Sequence, residues 1–200
     1  MTVIIATDVF GNTPAVASLV RSLEHPCLIV SPHDEQDHSG VHYRSEQSAY
    51  QAFISRGGLA RYRDKLDRVI QKQQTEHRNI PCITIGFSAG ASALWLLAAT
   101  ETAYHIDQMV LFYGSRIRDY THLQPRCPAR LIFAAHEAAF DPLTLTQQLR
   151  QQGQPAELIA NTSHGFMNPY SGGFCVKTQS LFLEELARLI RLAHPCALAA

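Results

Sequence analysis

From Cys82 to Ile85 the chain carries a short apolar run. Gly86-Phe87-Ser88-Ala89-Gly90 follows at once, and an apolar helical stretch from Ala91 to Ala99 comes directly after it. A strand that turns into a helix within one pentapeptide leaves little room for side chains at the turn, and glycine at both ends meets that demand. Such a turn lifts Ser88 above the carboxyl end of a sheet. The helix start behind it offers backbone N–H groups and positive potential. This stretch alone asks for strands with helices packed on them.

The rest of the chain keeps that rhythm. Strand-length apolar runs at Val3 to Ala6, Cys27 to Val30, Gln108 to Tyr113, Ala129 to Ala134 and Glu157 to Ala160 alternate with helical patterns. Between Pro14 and Leu23, the residues Val16, Leu19, Val20 and Leu23 recur at helical spacing. The stretch from Ser48 to Glu76 is helical with a break at Gly57-Gly58, and Leu143 to Gln151 and Cys175 to Leu192 supply two more helices. Alternation of this kind implies parallel strands joined by helical crossovers. No repeat or linker interrupts it, so residues 1–200 read as one α/β domain. We expect a mainly parallel sheet of about six strands flanked by helices, with no lid inserted.

Composition removes several other classes. With 46% hydrophobic and 17% charged residues, the chain is too rich in core-forming material to be disordered. Its 17 basic side chains are balanced by 17 acidic ones, which argues against a nucleic-acid or acidic-membrane partner. No apolar run approaches the ~20 residues of a membrane span. The five cysteines, Cys27, Cys82, Cys127, Cys175 and Cys196, are odd in number and form no CxxC pair, so neither a disulfide framework nor a zinc site is expected. The opening Met-Thr-Val-Ile-Ile-Ala reads as a strand rather than a signal peptide, and a cytoplasmic setting is expected.

A serine hydroxyl becomes a nucleophile only when a base removes its proton. On a turn of this type the base follows an acid, in the chain order Ser, Asp/Glu, His. His164 stands out among ten histidines because it follows the last predicted strand and opens the loop Ser163-His164-Gly165-Phe166. Two carboxylates, Glu137 and Asp141, follow the strand ending at Ala134. Asp141 precedes Pro142 and suits an N-cap as well as a catalytic acid. The reading favours Asp141, with Glu137 as the alternative.

These pieces together resemble the dienelactone hydrolase family of α/β-hydrolases. Ile5-Ala6-Thr7-Asp8-Val9-Phe10-Gly11 is similar to that family's first-strand signature, Gly86 to Gly90 to its nucleophile elbow, Phe112-Tyr113-Gly114 to the end of its next strand, and His164-Gly165-Phe166 to its C-terminal His-Gly-Phe. The resemblance implies that Ser88 attacks a carbonyl, that His164 acts as base and then acid, and that the N–H groups of Ala89 and Val9 hold the oxyanion. It also makes Asp8, Phe10, Tyr113 and Arg116 candidate substrate contacts. The chain departs from the pattern in three places. Serine replaces the founding enzymes' cysteine, the first-loop acid is the shorter Asp8, and His136-Glu137-Ala138-Ala139 has alanine where the family's aspartate stands.

Other candidates read more plainly. His33, Asp34, Glu35, Asp37 and His38 fall in one polar, exposed loop without metal-ligand spacing. Arg44, Arg116 and Arg118 could pair with a substrate carboxylate, and Trp95 belongs to a helix core. No dinucleotide fingerprint occurs in the first loop. The expectation is therefore a cofactor-independent serine hydrolase cleaving a small carboxylic ester or related acyl compound through an acyl-enzyme. The alternatives are a thioesterase or lactonase on the same residues, or a binding protein that keeps the fold without the chemistry. The spacing between the elbow and His164 leaves no room for a lid, and the extra N-terminal strands of larger relatives are absent from the pattern, so an open site is expected.

Overall fold

A computed structural model describes residues 1–33, 43, 45–78 and 80–193. Six strands form one sheet: β1 (Thr2–Ala6), β2 (Cys27–Val30), β3 (Cys82–Phe87), β4 (Gln108–Phe112), β5 (Ala129–His136) and β6 (Ala156–Ser163). Their spatial order is β2-β1-β3-β4-β5-β6, with every neighbouring pair parallel. The helices are α1 (Pro14–Ser22), α2 (Glu46–Ser55), α3 (Gly58–Glu76), α4 (Ala89–Ala98), α5 (Pro142–Gln151) and α6 (Val176–Ala193).

Period-two alternation along the strands divides the core between the two faces of the sheet. Ile4, Ala6, Met109 and Leu111 point to the layer containing Tyr62, Leu66 and Ile70 of α3 and Leu94 and Trp95 of α4. Val3, Ile5, Ile83, Ile85, Phe87, Val110 and Phe112 point the other way, toward Leu19 of α1 and Phe182, Leu186 and Ile190 of α6. Burial on both faces is why these strands read as apolar runs. Trp95 is a core residue, with its indole N–H donating to the carbonyl of Tyr120 at 3.0 Å.

The helix boundaries follow local chemistry. Thr13 caps α1 ahead of Pro14, Ser45 forms a capping box with Ser48 at the start of α2, and Gly57 and Gly58 break the long helical pattern with positive φ values of 98° and 56°. Three features depart from the sequence reading. Helix α4 begins at Ala89, two residues early, and short 3-10 turns fill Glu101–His105 and Ser115–Asp119. Strands β5 and β6 also run beyond their apolar cores, to His136 and Ser163. Their pairing continues past Ala134 through a register shift, in polar residues that carry no apolar alternation.

The chain passes from β1 to β2 on one side of it and then crosses back to place β3 on the other, which makes the carboxyl edge of β1 and β3 a topological switch point. Ligand crevices of open α/β sheets form at such an edge.

Candidate active site

Ser88 follows the last residue of β3 and precedes the first of α4, with φ 50° and ψ −107°. A non-glycine residue in that region is strained, and its surroundings must hold it there. The Ser88 N–H donates to the carbonyl of Phe112 at 2.9 Å, and its carbonyl accepts from the N–H and hydroxyl of Ser92 at 2.9 and 3.0 Å. The two flanking glycines have steric causes. A Cβ on Gly90 would lie 2.3 Å from the Ala6 carbonyl oxygen, and one on Gly86 would lie 2.7 Å from the Ala91 Cα. The elbow is thus wedged between β1 and α4.

Beyond β6, His164 meets Ser88. Its Nε2 is 2.9 Å from Ser88 Oγ, while its Nδ1 lies 2.9 and 3.0 Å from the two carboxylate oxygens of Glu137. A carboxylate only accepts, which assigns the ring proton to Nδ1 and leaves Nε2 to accept from the serine hydroxyl. The Glu137 side chain is 4% exposed and that of His164 is 24% exposed. Burial by itself would lower the pKa of His164. The hydrogen bond and charge of Glu137, with Glu46 and Asp8 adding smaller contributions, outweigh burial and raise it above the ordinary value.

The carboxylate at the imidazole is therefore Glu137 and not Asp141. Asp141 is exposed and caps α5: its oxygens accept from the N–H groups of Leu143 and Thr144 at 3.1 and 3.3 Å and from the Thr144 hydroxyl at 2.5 Å. The Thr144 hydroxyl is the largest cause holding its carboxyl below the usual range. The register explains the difference. His136 of β5 pairs with Ser163 of β6 beyond the irregularity at Ala134, so the next residues on the two parallel strands, Glu137 and His164, emerge side by side.

A cleft of about 480 Å³ opens over Ser88. Val9 beyond β1, Ser88 and Ala89 of the elbow, Arg116 and Arg118 beyond β4, Glu137 beyond β5 and His164 beyond β6 all border it, as do Tyr50 and Phe53 of α2. Arg116 is paired with Asp119 at 2.8 Å, and Arg118 donates to the Ser115 carbonyl at 2.6 Å and lies over the Phe140 ring.

The other three candidate substrate contacts are placed differently. Phe10 is partly buried and packs toward Tyr170, and it is not among the described residues lining the cleft. Tyr113 is fully buried, with φ 39°, and its ring meets His164 edge-on at 5.1 Å and Phe166 at 5.0 Å. It supports the imidazole from behind. Asp8 is also buried, accepting from the Phe10 N–H at 3.0 Å and the Asn168 amide at 2.5 Å. Burial pushes its carboxyl up to about 6, against the opposing hydrogen bonds from Asn168 and Phe10.

His33 corrects the sequence reading as well. It is 4% exposed, and its Nε2 lies 2.7 Å from the Val9 carbonyl oxygen. A polar neighbourhood in sequence concealed a buried contact with a distant loop. Asp34, Glu35, Asp37, His38, Arg44 and Cys196 lie outside the described residues. Cys27, Cys82, Cys127 and Cys175 are free thiols. No helix among the described residues is long and apolar enough to cross a membrane.

The six-stranded parallel sheet, the serine elbow at its carboxyl edge and the histidine loop beyond its last strand define an α/β-hydrolase fold. Among solved structures, the chain is similar to a proposed dienelactone hydrolase from Klebsiella pneumoniae subsp. pneumoniae MGH 78578, with a TM-score of 0.68, 18% identity, and coverage of 98% of this chain and 87% of that one. It is similar to the dienelactone hydrolase-like promiscuous phosphotriesterase P91 from metagenomic libraries, with a TM-score of 0.68, 15% identity, and coverage of 96% and 86%. These likenesses concern the fold. In sequence, the chain is 28% identical over 188 residues to the uncharacterized protein YczH of Bacillus subtilis (strain 168), covering 92% of this chain and 88% of that one. No protein-family model matches the sequence.

Proposed function

We propose that the protein is a serine hydrolase acting on a small carboxylic ester or related acyl compound through an acyl-enzyme. The observation that carries this reading is the continuous line of contacts from Ser88 Oγ through His164 to Glu137. In the first half-reaction Ser88 Oγ attacks the carbonyl carbon and its proton passes to His164 Nε2. The tetrahedral intermediate collapses with cleavage of the ester C–O bond, and the leaving alkoxide takes the proton from Nε2. Water then attacks the acyl-enzyme, again giving its proton to Nε2, and Ser88 leaves with that proton restored. Glu137 holds the imidazole in the tautomer this requires and stabilises its charged form. The N–H groups of Ala89 and Val9 receive the oxyanion.

The cleft bordered by Tyr50, Phe53, Val9 and Ala89 suits an acyl group of modest size, and thioesters or lactones are handled by the same steps. The contact of Glu137 with His164 Nδ1 supports a hydrolase over a binding protein that keeps the fold without the chemistry. Within this reading the enzyme is a single domain whose chemistry needs no cofactor, and a cytoplasmic setting stays the expectation drawn from the sequence. The test is Ser88→Ala together with a fluorophosphonate probe. We expect p-nitrophenyl acetate hydrolysis to be abolished and the wild type alone to be labelled. Undiminished turnover by Ser88→Ala would overturn the reading.

A further inference from the structure

The loop after β1 carries two consecutive peptide groups with four polar ends. In the Asp8–Val9 peptide, the carbonyl accepts from the Gly11 N–H at 3.1 Å and from the Thr7 hydroxyl at 3.2 Å. In the Val9–Phe10 peptide, the carbonyl accepts from His33 Nε2 at 2.7 Å and the N–H donates to Asp8 Oδ1 at 3.0 Å. Only the Val9 N–H makes no hydrogen bond among the described residues, and Val9 borders the cleft over Ser88.

Both clamping side chains are themselves held. Asp8 Oδ2 accepts from Asn168 Nδ2 at 2.5 Å, which ties the loop to the segment that follows His164. At His33, Nδ1 accepts from Arg56 Nη1 at 3.1 Å, and the Tyr43 hydroxyl, which accepts from the same Nη1 at 3.4 Å, lies 3.3 Å away. Its backbone N–H donates to Ser31 Oγ at 3.1 Å, and its carbonyl accepts from Lys65 Nζ at 2.7 Å. Gly11 makes this approach possible, because a Cβ there would lie 2.8 Å from Ser31 Oγ and 3.0 Å from the His33 ring.

We infer that Asp8 and His33 are positioning residues that grip the Val9–Phe10 peptide by its two ends and thereby aim the Val9 N–H at the oxyanion formed over Ser88. The inference rests on the serine-hydrolase reading and assigns it a specific device. A peptide unit bound at both ends cannot rotate with the charge that develops beside it, so the neighbouring donor is oriented before the reaction begins. Misplacing such a donor lowers the rate of the chemical step while leaving substrate binding almost untouched.

The experiment compares His33→Phe, His33→Gln, Asp8→Ala and Ser88→Ala in the full chain. It measures kcat and KM for p-nitrophenyl acetate together with the thermal midpoint. His33→Phe fills the site but cannot donate, and is expected to lose about 10- to 100-fold in kcat with KM changed by no more than about twofold. His33→Gln restores a donor and is expected to regain a large part of that loss, which a purely structural role does not predict. Should His33→Phe fail to fold, Asp8→Ala carries the test, with a fall in kcat of about tenfold or more expected. If Ser88→Ala is inactive while folded His33→Phe and Asp8→Ala turn over like the wild type, the hydrolase reading stands and the clamp is overturned. Full turnover by Ser88→Ala overturns both.

Discussion

Glu137 presents both of its carboxylate oxygens to Nδ1 of His164, at 2.9 and 3.0 Å, because the two residues directly follow the paired residues His136 and Ser163 on adjacent parallel strands. This contact separates two carboxylates that lie four positions apart in sequence, Glu137 and Asp141. Glu137→Gln keeps the shape but cannot stabilise a charged imidazole. It is expected to lower kcat by about 10³- to 10⁴-fold with little change in the thermal midpoint. Steady-state kinetics on a chromogenic ester measure the effect.

Asp141→Ala gives the opposite pattern. It removes the cap of α5, so stability should fall by about 0.5–2 kcal/mol while kcat stays within about twofold of the wild type. Urea unfolding and esterase assays on the same preparation check both parts. A large loss of kcat in folded Asp141→Ala would return the acid role to that residue.

The pH profile follows from the imidazole. In the proposed mechanism His164 must be neutral to accept the serine proton, and Glu137 together with Glu46 and Asp8 raises its pKa above the ordinary value in spite of burial. The rate should fall as pH drops through that raised pKa, so the acidic limb of kcat/KM lies above the pH at which a free imidazole titrates. In Glu137→Gln the largest raising influence is gone, and the limb should move to lower pH.

Asp8 makes stability depend on pH in a defined window. Its carboxyl is held at about 6 in the folded chain, chiefly by burial, against 3.8 ordinarily. Below the ordinary value both folded and unfolded chains are protonated and the stabilising difference is fully present. As pH rises toward 6 the unfolded chain has already lost its proton, and the folded chain must ionise a buried group. Stability should therefore decline across that interval by up to about 3 kcal/mol. Asp8→Asn does not titrate, so the difference between its unfolding curves and those of the wild type isolates this contribution.

The elbow tolerates no added carbon. Gly90→Ala places a Cβ where the Ala6 carbonyl already lies, 2.3 Å away, so β1 or α4 must shift. A loss of about 1–3 kcal/mol or more, together with loss of activity, is expected. Thermal unfolding and fluorophosphonate labelling report the two effects separately.

Much of this architecture is written in local patterns. Strand runs such as Ile83 to Ile85, buried on both faces, and the helical spacing of Leu66 and Ile70 depend on near neighbours in the chain, so periodicity alone reveals them. Ser88 is legible for the same reason, since the steric demand of a strand-to-helix turn is met within one pentapeptide. His164 is legible from its place after the last strand. The carboxylate beside its ring is not, because the choice between Glu137 and Asp141 depends on a register shift between β5 and β6 in polar residues that leave no hydrophobic trace. The contacts of the loop after β1 are equally hidden. Asp8 meets Asn168, and His33 meets the Val9 carbonyl, only when segments far apart in the chain are brought together. The sequence alone determined the strands and helices and singled out Ser88 and His164 as candidates, because short-range sterics, burial and chain order decide them. Folding decided which carboxylate lies against the imidazole and what holds the loop after β1, because both depend on long-range pairing.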